Sequence, residues 1–205
     1  MTELYVLAAD EPIPETLADR LPPWRREILD RLKNAGARQE SLQAGILFSH
    51  AMRLRGIDPA EPVRFLPAGK PVFAAREDVC FSLSHSGGCA VCAVGSRPVG
   101  ADVQAPRAVK LSIARRFCPA EQAWLMSLPE DARQAGLFRL WTRKEAWVKA
   151  VSADRTLALD EADVLQDLPG LSFRDYILPG GLFAAVCAAE APPEAPVILT
   201  TEDIL

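Results

Sequence analysis

At 80–94 the chain reads CFSLSHSGGCAVCAV, and 95 residues further on, at 175–189, it reads DYILPGGLFAAVCAA. Aligned without a gap, Leu83, Ala90, Val91, Cys92 and Ala93 each meet an identical residue. The same offset lays the helix-like stretch 39–53 over 134–148, with Leu42 on Leu137 and Ala51 on Ala146. A helix followed by two apolar runs around a turn, occurring twice in the same order, predicts an α+β fold made of two similar halves.

Outward from these segments, residues 4–8 read as a strand, 24–33 and 39–55 as helices, and 63–66 and 79–94 as strands. Pro67, Gly69 and Pro71 break the chain between those strands. In the second half 111–117 reads as a helix, and another opens at Pro119, whose fixed φ suits a first helical turn. Asp131 with Gln134 predicts a capping box for a long helix reaching Ala150. After Pro169 and Gly170, the runs 171–178 and 182–190 predict a hairpin around Pro179, Gly180 and Gly181, and the proline-rich 192–196 leads into a terminal strand.

Across 205 residues the chain is 49% apolar and 24% charged, an ordinary globular balance that supports a buried core. Its 27 acidic against 23 basic side chains, net charge −4, argue against a broad basic surface for wrapping nucleic acid, so phosphate binding must be local. The first ten residues carry Glu3 and no Lys or Arg ahead of the apolar stretch, the wrong polarity for a secretory signal. The longest apolar runs, 89–94 and 182–189, fall far below the roughly 20 residues of a membrane-crossing helix. Five cysteines, an odd number without scaffold density, read as reduced thiols of a cytoplasmic protein. Cys89 and Cys92 formally match Cys-x-x-Cys, but three residues apart on a strand they face opposite sides, which predicts core cysteines rather than a zinc site.

Several residues are suited to chemistry. Asp102 follows a strand and Gly100, while Glu145 and Lys149 lie one turn apart on the long helix and share a face. Such a pair is more often a solvated surface contact. Here Leu137, Leu140, Trp141 and Val148 make the helix largely apolar, which predicts packing against a sheet with a charged edge. The segment SLSHSGG at 82–88 gathers hydroxyls, His85 and two glycines just before a buried strand; those donors suit a phosphate, and a serine-rich turn is the plainer alternative. A hydrolase triad on Ser84 or Ser86 is disfavoured, because both flank His85 too closely and no nucleophile-elbow pattern surrounds them. Lys70, within Gly69-Lys70-Pro71, places a point charge on a rigid turn. His50, in mid-helix, reads as structural or exposed.

Taken in order, GKP at 69–71, SHSGG at 84–88, VGADVQ at 99–104, RRF at 115–117 and WTRKEAWVKA at 141–150 resemble the surfactin-type 4'-phosphopantetheinyl transferases over nearly the whole chain. The resemblance implies two similar α+β halves, 1–104 and 105–205, fused as an intramolecular pseudo-dimer. Each half would pack a small antiparallel sheet against a long helix, with the active site at the junction. The implied activity moves phosphopantetheine from coenzyme A to a serine of an acyl or peptidyl carrier protein and releases 3',5'-ADP. Residue by residue, Asp102 and Glu145 match the family's Mg²⁺ ligands, with Gln104 at a third ligand position. Lys149 and Lys70 match its phosphate contacts, Pro71 stiffens that turn, and Ser84 and His85 match the turn that holds the coenzyme A phosphates. Arg25 and Arg26 lie near the family's basic contacts to the adenosine 3'-phosphate. In this scheme Mg²⁺ and the lysines neutralise the pyrophosphate, the carrier serine attacks the β-phosphorus, and Glu145 is the candidate base. Partners are then coenzyme A and a carrier protein, with no nucleic acid and no membrane, and a fused pair is expected to be a monomer.

Three departures from the family pattern stand out. Gln104 replaces a usual second carboxylate, which predicts weaker Mg²⁺ binding. Ser152-Ala153-Asp154-Arg155 replaces a glycine-lysine-glycine turn, removing flexibility and a cation. Glu40 stands where a basic residue is common, weakening the 3'-phosphate contact unless Arg38 substitutes. These changes leave a second reading open: a relative that binds coenzyme A or a carrier protein without efficient transfer.

Overall fold

The apolar run near the N-terminus forms strand β1 (Glu3–Ala8) in the computed structural model, which describes residues 1–9, 11–151 and 157–204. Pro23 opens α1 (Pro23–Arg31). Asn34 caps α2 (Ala35–Leu54) by accepting the Ala37 N–H at 3.0 Å, so this helix starts earlier than residue 39, where the apolar periodicity places it. Next come the ribbon strands β2 (Val63–Phe65) and β3 (Pro71–Phe73), then β4 (Cys80–Ser86), β5 (Cys89–Gly95) and β6 (Val99–Gln104). The expected helix at 111–117 is a 3₁₀ helix, Leu111–Arg116, followed by α3 (Pro119–Ser127) and α4 (Arg133–Val151). The expected capping box does not form: a 3₁₀ turn, Glu130–Ala132, leads into α4, and Gln134 instead donates to the Val109 carbonyl at 2.7 Å. The hairpin β7 (Ser172–Leu178) and β8 (Leu182–Ala188) closes through Pro179–Gly181. Strand β9 (Val197–Leu199) and a short α5 (Thr201–Ile204), absent from the sequence reading, complete the described chain.

Among the described residues β2 and β3 pair as a two-stranded ribbon, and the other strands form two larger sheets, ordered β4-β5-β1-β9 and β6-β8-β7. The run β1, α2, β4, β5 recurs as β6, α4, β7, β8, and in both sheets the last of these strands pairs antiparallel with the other two. The offset seen in the sequence is therefore also a repeat of topology. Strand β9 departs from it by pairing parallel to β1. Strand β6, within the span 1–104, is bonded into the second sheet, and β9, near the C-terminus, into the first.

Alternation along the strands sorts their side chains into layers. On β5, Ala90, Cys92 and Val94 pack with α2, while Cys89, Val91 and Ala93 enter a core shared with the second sheet. On β8, Ala184 and Val186 enter that shared core, while Ala185 and Cys187 pack under α4. The layers run helix, sheet, sheet, helix, and both central strands are apolar on both faces because both are covered. Cys89 and Cys92 face opposite sides, as their spacing predicts. Among the described residues no helix is long and apolar enough to cross a membrane.

One contact positions everything that follows. On β6, Val99, Ala101 and Val103 point into the shared core, which turns Gly100, Asp102 and Gln104 toward α4. A Cβ on Gly100 would lie 1.9 Å from the Ala146 carbonyl oxygen and 2.6 Å from the Ala150 nitrogen. The strand thus rests on the helix backbone itself. Gly100→Ala should destabilise the protein by about 3 kcal/mol, since helix and strand must separate. Urea unfolding measures this, and a loss below about 0.5 kcal/mol would show that the contact yields.

Candidate functional site

Edge strands β4 and β6 face each other across the seam between the sheets, joined by hydroxyls rather than by a backbone ladder. Ser82 Oγ accepts the Ala101 N–H at 3.0 Å, Ser86 Oγ accepts the Ala105 N–H at 3.0 Å, and between them Ser84 Oγ donates to Asp102 Oδ1 at 2.7 Å. The alternate residues of SLSHS thereby cover both edges. Asp102, only 3% exposed, also receives the Lys149 ammonium on Oδ1 at 2.6 Å and the Gln104 amide on Oδ2 at 3.1 Å. Lys149 further donates to the Ala101 carbonyl at 3.1 Å.

Glu145 lies one turn before Lys149 on α4, half-buried. Its carboxylate has no hydrogen-bond partner among the described residues. Burial lifts its pKa above the ordinary carboxylate value; the Asp102 charge adds to that, and Lys149 and Arg116 oppose it. The two acids proposed from sequence thus share one electrostatic environment, with one satisfied and the other free.

Lys70 reaches the seam from the opposite direction. The turn before β3 carries it across to donate to the Val99 carbonyl at 2.8 Å and the Lys149 carbonyl at 2.6 Å, joining the first half to β6 and the last turn of α4. Burial draws its pKa down to about 8. A cavity of about 370 Å³ opens above it, walled by Trp24, Arg25 and Ile28 of α1, by Phe65 and the turn through Pro71, by Ser84 and His85 of β4, and by Lys149.

The basic residues of the N-terminal helices fare unequally. Arg25 is buried at the cavity wall, its guanidinium donating to the Ser41 carbonyl and to Ser41 Oγ at 3.0 Å, and burial lowers its pKa to about 10. Its Nε and the Trp24 Nε1 are buried without a partner among the described residues. Arg26 is not brought to the cavity: it bonds the Ala18 carbonyl and Asp19. Nor does Arg38 turn toward the site, being held by Glu15 and the Leu29 carbonyl. His85 Nδ1 lies 3.1 Å from Glu40 Oε2. The altered loop at 152–155 lies outside the described residues.

Other supports escape a sequence reading. Gln43 Nε2 donates to the Leu7 and Gly88 carbonyls, both at 2.8 Å, tying the SHSGG turn to β1. Lys144, beside Glu145, forms a 2.7 Å ion pair with Glu121; both side chains are fully buried, and Glu121 also accepts the Cys118 and Val164 N–H groups. This pair braces the outer side of α4 and is indistinguishable in sequence from surface charges. The capping-box spacing from Cys118 to Glu121 was its one available signal.

Residues 98–189 match the family model described as the 4'-phosphopantetheinyl transferase superfamily. The chain is 26% identical, over 99% of its length and all of the relative's, to the 4'-phosphopantetheinyl transferase Sfp of Bacillus subtilis (strain 168). It is 30% identical to a 4'-phosphopantetheinyl transferase of Bacillus subtilis, across 79% of this chain and 75% of the other. Identity reaches 34% with the 4'-phosphopantetheinyl transferase HetI of Nostoc sp. (strain PCC 7120 / SAG 25.82 / UTEX 2576), across 71% and 68% of the two chains.

Removing the cation from a carboxylate this deeply buried should be severe. Lys149→Met is expected to destabilise the protein by about 3 kcal/mol at neutral pH. Adding Asp102→Asn should recover part of that loss, giving a positive coupling in a double-mutant cycle followed by urea unfolding. Strict additivity would mean that the two charges do not depend on each other.

Proposed function

The chain belongs to the 4'-phosphopantetheinyl transferase superfamily and is a 4'-phosphopantetheinyl transferase that uses coenzyme A, and we propose that its transfer centre is the seam where Asp102, Glu145, Lys149 and Lys70 meet. The observation that carries this reading is the pairing of a buried, satisfied Asp102 on β6 with a partnerless Glu145 on α4, beside a cavity walled by Lys70 and Lys149. The acceptor is the serine hydroxyl of an acyl or peptidyl carrier protein, and 3',5'-ADP is the leaving group.

The donor set fits a magnesium ion. Among the described residues no cluster of three or more His, Cys, Asp and Glu side chains could hold a metal. Mg²⁺ commonly uses one or two carboxylates and keeps several waters, so Asp102 and Glu145 suffice, with Gln104 able to turn its amide oxygen inward. Held there, the ion would supply charge neutralisation for the pyrophosphate.

The chain's own groups supply the rest. An ammonium has three donors. Lys149 commits two to Asp102 and Ala101, and Lys70 commits two to Val99 and Lys149, so each keeps one for a phosphate oxygen. Fixed in place by those bonds, both cations meet the pyrophosphate with little reorganisation. Glu145, its proton affinity raised by burial, is suited to accept the proton of the carrier serine hydroxyl. Because both halves of the centre lie in one chain, no second copy is needed, and a cytoplasmic monomer is the corresponding form.

Incubation with apo carrier protein, coenzyme A and Mg²⁺ should raise the carrier's intact mass by one phosphopantetheinyl group, and chelation by EDTA should stop it. No gain with several carrier proteins, while coenzyme A still binds, would favour the relative that binds without transferring. Glu145→Gln should lower the transfer rate by about 100-fold or more. For pH, the sign follows from Lys70: it is charged below its pKa of about 8 and neutral above, so kcat/KM for coenzyme A should fall as pH rises through about 8. Lys70→Arg should remove that falling limb, and an unchanged profile would exclude Lys70 as its source.

A further inference from the structure

The turn after β4 offers donors suited to an anion, and the anion they meet belongs to the protein. Glu40, on α2, accepts the Gly87 N–H on Oε1 at 2.8 Å, and its Oε2 lies 3.1 Å from His85 Nδ1. His85 lines the 370 Å³ cavity, whereas Glu40 lines a separate cavity of about 340 Å³, so the pair stands as a partition between them. Arg26 is committed to Asp19 and Arg38 to Glu15, while Arg25, bonded to the neutral Ser41, makes no ion pair with this carboxylate.

Coenzyme A carries two separate anionic groups, a pyrophosphate and a ribose 3'-phosphate. If the pyrophosphate lies between Lys70 and Lys149, as the transferase reading on which this step rests requires, the donors at His85 and Gly87 are open to the 3'-phosphate, beside the Arg25 guanidinium on the cavity wall. We infer that Glu40 is a specificity-determining residue: it occupies those donors with its own carboxylate, so the 3'-phosphate gains little and the enzyme accepts dephospho-coenzyme A nearly as well as coenzyme A. A phosphate arriving there must displace a charge-assisted pair and meets like charge, whereas a substrate lacking it meets neither penalty.

The test uses the full chain and its Glu40→Gln and Glu40→Lys variants. Glutamine keeps an oxygen for the Gly87 N–H and removes the charge; thermal melting of both variants checks the fold. In the wild type, kcat/KM for coenzyme A and dephospho-coenzyme A should agree within about tenfold, and each variant should widen the ratio by roughly tenfold or more through a lower KM for coenzyme A. Calorimetry gives a reading independent of transfer: the variants should bind 3',5'-ADP more tightly and 5'-AMP unchanged. A wild-type ratio far above tenfold, an unaltered ratio in both variants, equal tightening of both nucleotides, or no nucleotide binding by any of the proteins would overturn the inference. Nucleotide binding that follows the expected pattern without any phosphopantetheinyl transfer would instead count against the transferase reading alone.

Discussion

The backbone contact between β6 and α4 at Gly100 sets the geometry on which the rest of the structure depends. An alanine there would place its Cβ 1.9 Å from the Ala146 carbonyl oxygen, and no side-chain rearrangement relieves a clash with main chain. Small residues on both partners, Gly100 on the strand and Ala146 and Ala150 on the helix, allow the two backbones to touch. Since strand side chains alternate, the residue two places beyond Gly100 must point to the same helix, and that residue is Asp102. Since helix side chains recur every turn, the residues flanking Ala146 and Ala150 on the near edge are Glu145 and Lys149. The charged centre is a geometric consequence of the close approach.

The cations at this centre serve two ends. Lys70 and Lys149 each bond backbone carbonyls of β6 while lining the cavity, so the groups suited to phosphate also hold the halves in register. That double commitment explains the depressed pKa of Lys70, whose burial follows from spanning the junction. A lysine reaching freely into solvent would keep its ordinary proton affinity but would have no fixed position from which to meet a phosphate.

Much of this architecture was legible because it follows from periodicity. The repeat at 95 residues, the alternation of CAVCAV and the apolar face around Leu137 and Leu140 depend only on which side chains need burial, and the structure follows them. The acids at 102 and 145 and the lysines at 70 and 149, singled out by motif spacing, lie together at the seam. What was not legible depends on competition for hydrogen bonds. Gln134 matched a capping box, yet its amide bonds the Val109 backbone, 25 residues earlier in the chain. Arg26 and Arg38 stood near the expected phosphate contacts, yet acidic neighbours at 19 and 15 hold them. Likewise, Ser82, Ser84 and Ser86 read as a phosphate-binding turn, and their alternate spacing turned out also to suit three bonds to one facing strand.

That serine seam bears on why the centre lies where it does. Two sheets that meet edge to edge leave unpaired N–H groups on β6, which hydroxyls from β4 satisfy at Ala101 and Ala105. Between them Ser84 bonds a side chain, Asp102, rather than a backbone N–H. The polar seam lets a carboxylate be buried between the two sheets with its acceptors filled. Asp102 is held by three donors from three elements, β4, β6 and α4, while Glu145 across the same gap has none among the described residues. A fixed anion beside an unsatisfied one attracts a cation, so the same constraint that joins the halves also places the charges on which the proposed transfer centre rests.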